Sequence, residues 1–109
     1  MVPDHPEAPE SIKVKSYDET WIKCAWEPPA ENGNCEISNY ILEYKEGKKG
    51  DWVTASDSVT ETEYTVENLT TGKEYWFRVA AVNEVGASAF AETDKGQEAK
   101  EPCGMYTLF

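Results

Sequence analysis

The chain has 109 residues, with 10 Lys and Arg against 21 Asp and Glu and a formal net charge of −11. Its length predicts one domain, and 39% hydrophobic with 12% aromatic residues is too apolar a composition for a disordered acidic chain. The negative charge disfavours nucleic acid and acidic membrane surfaces as partners, and no apolar run approaches the roughly 18–20 residues of a membrane span. We therefore expect a globular domain with no nucleic-acid and no membrane partner.

The first ten residues contain Pro3, Pro6 and Pro9 and show no apolar periodicity. This composition predicts a Pro-rich linker over residues 1–10, followed by a domain over residues 11–94. Residues 95–109 are charged at first and unpatterned later, and we expect a linker or tail there. No targeting signal is present, and the start at Met1 and end at Phe109 lead us to expect a module of a longer protein.

Apolar and polar residues alternate through most of the domain, in short runs that turn residues separate. This is the periodicity of β-strands, and no helical period is present. Seven short strands in about 90 residues are typical of an all-β, seven-stranded antiparallel β-sandwich. The predicted strands contain, in chain order, Ile12 and Val14; Ile22, Cys24 and Trp26; residues 37–45; Trp52 and Val53; Tyr64 and Val66; residues 75–81; and residues 87–93.

Several motifs occur together in an order and spacing that resemble a fibronectin type III module. They are Trp26-Glu27-Pro28-Pro29 at a strand end, the run 40–44, Leu69-x-x-Gly72-x-x-Tyr75, and the run 77–83 followed by Gly86. The resemblance covers about residues 9–94 and implies an immunoglobulin-like topology.

The resemblance also implies specific roles in the core. Tyr75 is expected to form a tyrosine corner and to lie on the sheet that faces Trp26. Phe77 occupies the position where an immunoglobulin domain has its second bridging cysteine, which disfavours an immunoglobulin domain proper. The expected core comprises Trp26, Tyr40, Leu42, Leu69, Tyr75, Phe77 and Val79.

Three further segments are similar to modules of giant intracellular muscle proteins of the titin, twitchin and myosin-binding protein families. These are Asn32-Gly33-Asn34, the run 50–53, and the stretch 98–102. The resemblance implies a non-catalytic spacer and docking module of a sarcomeric, cytoplasmic protein. Neighbouring immunoglobulin or fibronectin type III modules, and thick-filament proteins, are the implied partners. We expect the isolated module to be monomeric.

The sequence offers little for catalysis or metal binding. The only histidine, His5, lies in the Pro-rich segment, far in sequence from any core feature. Cys24, Cys35 and Cys103 form an odd set without CxxC spacing, which predicts free thiols and a reducing compartment, one bridge between two of them being the alternative. We therefore expect no catalytic residues, no metal site and no cofactor.

An extracellular adhesion or receptor module of the same fold is the alternative function. Asn68-Leu69-Thr70 is formally an N-glycosylation sequon, and a glycan there would favour that alternative. No Arg-Gly-Asp sequence and no Trp-Ser-x-Trp-Ser segment supports it.

Strand alternation predicts one unusual surface. Ile41, Trp76, Arg78 and Val82 are expected on the outward face of two paired strands, where a large ring would remain in water. One hypothesis is a docking patch for a protein partner. The other is local cover, in which the Trp76 ring lies across neighbouring side chains while Arg78 stacks on Trp52 or pairs with Glu43.

Overall fold

A computed structural model describes residues 2–102 and shows eight β-strands and no helix in that part of the chain. The strands are β1 (Glu10–Tyr17), β2 (Ile22–Glu27), β3 (Asn39–Glu46), β4 (Val53–Val59), β5 (Glu63–Val66), β6 (Glu74–Val82), β7 (Ala91–Glu92) and β8 (Gln97–Glu98). Of the seventh strand that the sequence predicts over residues 87–93, only Ala91–Glu92 forms a strand, β7, and β8 is an additional short strand beyond it. The described part of the chain is therefore all-β, as the alternating sequence predicts.

The strands form two antiparallel sheets that pack as a sandwich. The three-stranded sheet has the order β1-β2-β5, and the larger sheet has the order β4-β3-β6-β7 with β8 also paired to β6. Short connections between consecutive strands favour antiparallel pairing, because a parallel pair needs a long crossover. The predicted all-β sandwich with immunoglobulin-like topology is confirmed.

The interior lies between the two sheets. Trp26 comes from the three-stranded sheet, and its ring meets that of Tyr40 from the larger sheet edge-on, with centroids 5.5 Å apart. The Trp26 Nε1 atom is buried and has no hydrogen-bond partner among the described residues. The other predicted core residues also lie in this interior, each no more than 6% exposed: Leu42, Leu69, Tyr75, Phe77 and Val79.

Tyr75 joins the interior to the turn before its strand. Its ring is 2% exposed, and its hydroxyl accepts a hydrogen bond from the Thr70 amide at 2.8 Å and donates one to Glu46 Oε1 at 3.3 Å. A ring in the core with its hydroxyl on loop backbone is the tyrosine-corner arrangement. Gly72, with φ of 89°, makes the tight turn that brings Thr70 within reach.

The N-terminal segment, residues 2–9, is attached to the domain although it forms no strand. Asn83, which is only 2% exposed, donates from Nδ2 to the carbonyls of Asp4 at 2.7 Å and Asn32 at 2.9 Å. Its Oδ1 accepts from the amides of Val85 at 2.9 Å and Gly86 at 3.2 Å. One buried amide thus ties the N-terminal segment to two loops.

Gly33 allows that segment to approach closely. It has φ of 75°, and a Cβ at this position would collide with the Asp4 carbonyl oxygen. The Asp4 amide donates to the Gly33 carbonyl at 2.8 Å, and the Glu7 amide donates to the Glu31 carbonyl at 2.9 Å. Residues 1–10 were predicted as a linker; in the structure their described part packs against the sandwich.

The C-terminal segment also packs on the domain, beyond the predicted domain end at residue 94. Gln97 and Glu98 pair with β6, and Ala99 is fully buried. The Gly72 amide donates to the Ala99 carbonyl at 2.8 Å, and the Ala99 amide donates to the Lys73 carbonyl at 2.9 Å. Residues 95–99 therefore belong structurally to the sandwich, which differs from the expected linker or tail.

Candidate interaction surface

The outer face of the larger sheet carries the four residues of the predicted patch. In the β3–β6 register Ile41 lies opposite Ala80, and Asn39 lies opposite Val82. Glu43 lies opposite Arg78, and Lys45 opposite Trp76. Residues that pair directly across two strands share one face, so all four predicted residues lie on this surface.

Arg78 and Glu43 form an ion pair at its centre. Arg78 donates from Nε at 2.9 Å and from Nη2 at 2.6 Å, both to Glu43 Oε1. Thr54 donates from Oγ1 to the second carboxylate oxygen at 3.1 Å. The side chains of Arg78 and Glu43 are 24% and 16% exposed, so the pair is partly shielded from solvent.

Two aromatic rings enclose the Arg78 guanidinium. Its central carbon lies 4.4 Å from the centroid of the Trp52 ring and 4.1 Å from that of Phe90. Lys45 Nζ also lies over the Trp52 ring, at 4.8 Å. Cations this close to ring faces are attracted by the ring quadrupole. Arg78 therefore makes both interactions considered for it from the sequence, the stacking on Trp52 and the pairing with Glu43.

Trp76 has a different neighbour from the one expected. A Cβ on Gly96 would lie 2.7 Å from Trp76 Cζ2 and 2.6 Å from Glu74 Cγ, so the backbone between β7 and β8 lies directly on the ring. The ring is half-buried under this segment. The local cover of Trp76 is thus supplied by residues that the sequence had assigned to a tail.

The exposed part of this face is smaller than the prediction implied. Ile41 and Val82 are half-buried, and Ala80 between them is fully buried. The structure brings the four patch residues onto one face, with the enclosed Arg78 between Trp76 and the Ile41–Val82 end. Sequence reasoning does not identify Phe90 and Gly96 as part of this surface, because alternation within one strand gives no sign of which distant segment will cover it.

The histidine and two of the three cysteines lie among the described residues. His5 is exposed, with Nδ1 3.1 Å from Asp4 Oδ1. Cys24 and Cys35 are free, and burial raises the pKa of the Cys24 thiol from 9.0 to about 12; Cys103 lies outside the described residues. Among residues 2–102 no group of three or more His, Cys, Asp or Glu side chains is placed to hold a metal ion. That part of the chain likewise contains no helix long and apolar enough to cross a membrane.

Comparison with known proteins agrees with this architecture. The sequence profile of the fibronectin type III domain matches residues 7–95. Titin of Drosophila melanogaster is 33% identical over 114 residues, covering 95% of this chain and 1% of that protein. Myosin-binding protein H of Gallus gallus is 34% identical over 93 residues, covering 85% of this chain and 17% of that protein.

A solved structure gives the same result in three dimensions. The crystal structure of domains A168–A170 from titin superimposes with a TM-score of 0.83 and 32% sequence identity, covering 90% of this chain and 33% of that one. The chain spans only a small part, 1% and 17%, of the two relatives described above. The profile match covers most of the chain, and on this evidence the chain belongs to the fibronectin type III family.

Proposed function

We propose that this domain is a non-catalytic spacer and docking module of a multidomain intracellular protein, in the sarcomere of muscle. Its similarity to modules of titin and of myosin-binding proteins supports this setting over an extracellular adhesion module. Neighbouring immunoglobulin or fibronectin type III modules are its expected partners in the chain. Thick-filament proteins, and myosin first among them, are the expected docking partners.

The placement of the two terminal segments carries the spacer proposal. The N-terminal segment is hydrogen-bonded through Asp4 to Asn83, directly after the last residue of β6. Residues 97–99 pair at Glu74 and Tyr75, the first residues of the same strand, and at Lys73. A strand of this length spans about 30 Å. The described chain thus enters and leaves at opposite ends of β6, and both segments are fixed to the sandwich, as modules joined in a row require.

Backbone dynamics test the spacer proposal. We expect ¹⁵N relaxation to show residues 4–9 and 97–99 as rigid as the β-sheet core. Asn83→Ala removes four hydrogen bonds, one of them to Asp4, and should raise the mobility of residues 4–9 while residues 97–99 stay rigid. Glu84→Ala, at an exposed neighbouring position, is the matched control. Motion of residues 4–9 like that of a free peptide in the unaltered chain would contradict the proposal.

The docking part rests on the outer face of the larger sheet, where Ile41 and Val82 lie together at one side of the enclosed Arg78. Aromatic residues and arginine are enriched at the centres of protein interfaces. Ile41→Ser should keep stability within about 1 kcal/mol and weaken binding by about 2 kcal/mol. The measurement is cosedimentation with purified myosin filaments, with Val53→Ser on β4 as the control. Equal cosedimentation of all three proteins would refute docking through this face.

A further inference from the structure

We propose that the free edge of β5, with the cleft beside it, binds an extended, positively charged segment of a partner protein by strand addition. This site lies at the border of the three-stranded sheet, away from the outer face of the larger sheet. It needs neither the spacer role nor docking at Ile41, so its failure would leave both of those proposals untouched.

The edge strands of the two sheets differ in how well they could accept another strand. β1 and β4 each carry two register shifts against their neighbours, and β7 and β8 have two residues each. Bulges and short strands protect sheet edges against further pairing. β5 pairs with β2 from Ile22↔Val66 to Ala25↔Glu63 without a shift, and it contains no Pro or Lys. Among these edges β5 alone is regular over four residues.

The backbone of β5 leaves hydrogen-bonding groups unused on this edge. The Trp26 amide donates to the Thr62 carbonyl, which shows that Thr62 faces β2. Amide and carbonyl directions alternate along an antiparallel strand, so Tyr64 and Val66 also face β2, whereas Glu63 and Thr65 point away. Within residues 2–102 no hydrogen bond engages the main-chain groups of Glu63 or Thr65. Two amides and two carbonyls are therefore available to an added strand.

A cleft of about 380 Å³ lies beside this edge and could receive side chains of the added strand. Tyr44, Thr54 and Ala55 line it from the larger sheet, and residues 64–68 line it from the β5 side. Side chains of a strand alternate in direction, so one of every two would enter the cleft. The lining of this cleft is mostly polar, and Tyr44, Tyr64 and Ala55 supply the smaller apolar part, so it suits a small or β-branched side chain.

The negative charge around the β5 edge determines which partner segment can bind there. Glu61 and Glu67 lie close in sequence to the two ends of β5 and are exposed, while the Glu63 carboxylate is already paired with Lys15 at 2.9 Å and Lys23 at 3.2 Å. A second copy of this chain would also carry a net charge of −11 and would be repelled. An extended segment in which basic residues alternate with β-branched residues would pair with the edge, and its small side chains would fit the cleft.

The probe is a capped peptide, Lys-Val-Lys-Val-Lys-Val, titrated into the ¹⁵N-labelled domain with amide shifts recorded. We expect saturable shifts at Glu63, Thr65 and Ala55. Thr65→Pro removes an outward amide without loss of a β2–β5 hydrogen bond and should weaken binding at least tenfold. Glu67→Gln should weaken it severalfold, whereas the same charge change at the exposed Glu84, Glu84→Gln, should leave it unchanged.

A second peptide, Lys-Pro-Lys-Pro-Lys-Pro, has the same charge but cannot pair with a strand edge. It should fail to bind, and this comparison decides the question even if Thr65→Pro does not fold. Equal binding of the two peptides would show unspecific charge attraction and overturn the proposal. Shifts confined to other surfaces, or a doubled mass without peptide from β5 pairing between copies, would overturn it as well.

Discussion

The two faces of β6 belong to one strand but are buried by different means. On the inner face Tyr75, Phe77, Val79 and Ala81 are at most 2% exposed, because the facing sheet covers them. On the outer face the cover comes from three separate segments of the chain. Trp52 and Phe90 enclose Arg78, and Gly96 lies on Trp76.

This difference separates two kinds of stabilisation. Inner residues need only be apolar and of suitable size, since hydrophobic burial has no direction. Outer residues depend on the geometry of particular contacts. The Arg78 guanidinium lies against two aromatic rings, the Glu43 carboxylate accepts from two side chains, and Gly96 has no side chain to clash with Trp76. We therefore expect inner substitutions to cost stability in proportion to lost volume, and outer ones to depend on a named partner.

The largest expected effect is on the inner face. Phe77→Ala should destabilise the domain by about 3–5 kcal/mol, because it removes a fully buried ring and leaves a cavity. Denaturant unfolding measures the loss. Val82→Ala, at a half-buried outer position on the same strand, is the control and should cost clearly less. A loss below about 1 kcal/mol for Phe77→Ala would show that the inner face is not a tightly packed core.

The inner face also contains a thiol that should set the alkaline limit of stability. Burial raises the pKa of Cys24 from 9.0 to about 12, so the folded state holds its proton where the unfolded state releases it. The stability that the protonated Cys24 thiol contributes is fully present below pH 9. It is lost as pH rises toward 12, at about 1.4 kcal/mol per pH unit.

Chemical denaturation between pH 8 and 11 tests this behaviour. Cys24→Ala should remove this part of the alkaline decline, whereas Cys35→Ala at a half-buried loop position should not. Identical pH profiles for the two variants would contradict the assignment.

Gly96 tests the cover of the outer face. Gly96→Ala would place a methyl group against Trp76 and Glu74 and should cost about 1–3 kcal/mol. In a Trp76→Ala background the same change should cost less, since the space it needs is already open. Thermal or denaturant unfolding of the unaltered domain, the two single variants and the double variant measures the coupling free energy between the two positions. Strict additivity would mean that Gly96 does not press on the ring.

Arg78 tests whether geometry or charge stabilises the outer face. Arg78→Lys keeps the charge but loses the planar group between Trp52 and Phe90, and should cost about 1–2 kcal/mol. The loss should shrink in a Trp52→Ala background, because half of the ring cage is then absent. An unchanged stability of Arg78→Lys would assign the interaction to charge alone.

The sequence was sufficient for the inner faces because burial there follows a period of two residues. Trp26, Leu42, Phe77 and Val79 all lie in apolar rows that recur at every second residue of their strands. The two-sheet architecture follows from these rows together with the turn residues between them.

The outer face and the two ends of the chain could not be predicted in the same way. Burial of Asn83 depends on carbonyls from two distant segments, and burial of Ala99 depends on the turn at Gly72 and Lys73. Neither position stands in a strand with an apolar period. The sequence also does not reveal that β5 is the regular free edge, because amino-acid composition does not show which edge strands carry register shifts.

The smallest effect concerns the outer face of the three-stranded sheet. Glu63 lies between Lys15 and Lys23, and hydrogen bonds from these two side chains lower the pKa of its carboxyl below 4.5. The folded-state pKa is thus below the unfolded value, so this pairing favours folding above the ordinary pKa and is lost as pH falls through the folded-state pKa.

Lys15→Met should raise the pKa of Glu63, and Lys23→Met should do so by less. Lys48→Met, in the exposed turn after β3, should have no effect. Carboxyl ¹³C shifts recorded from pH 2 to 6 measure the change, while stability at pH 7 should hardly move because exposed ion pairs are screened by solvent. If Glu63 titrates identically in all three variants, outer-face charges on this sheet act independently, and only the larger sheet has an outer face built from specific pairs.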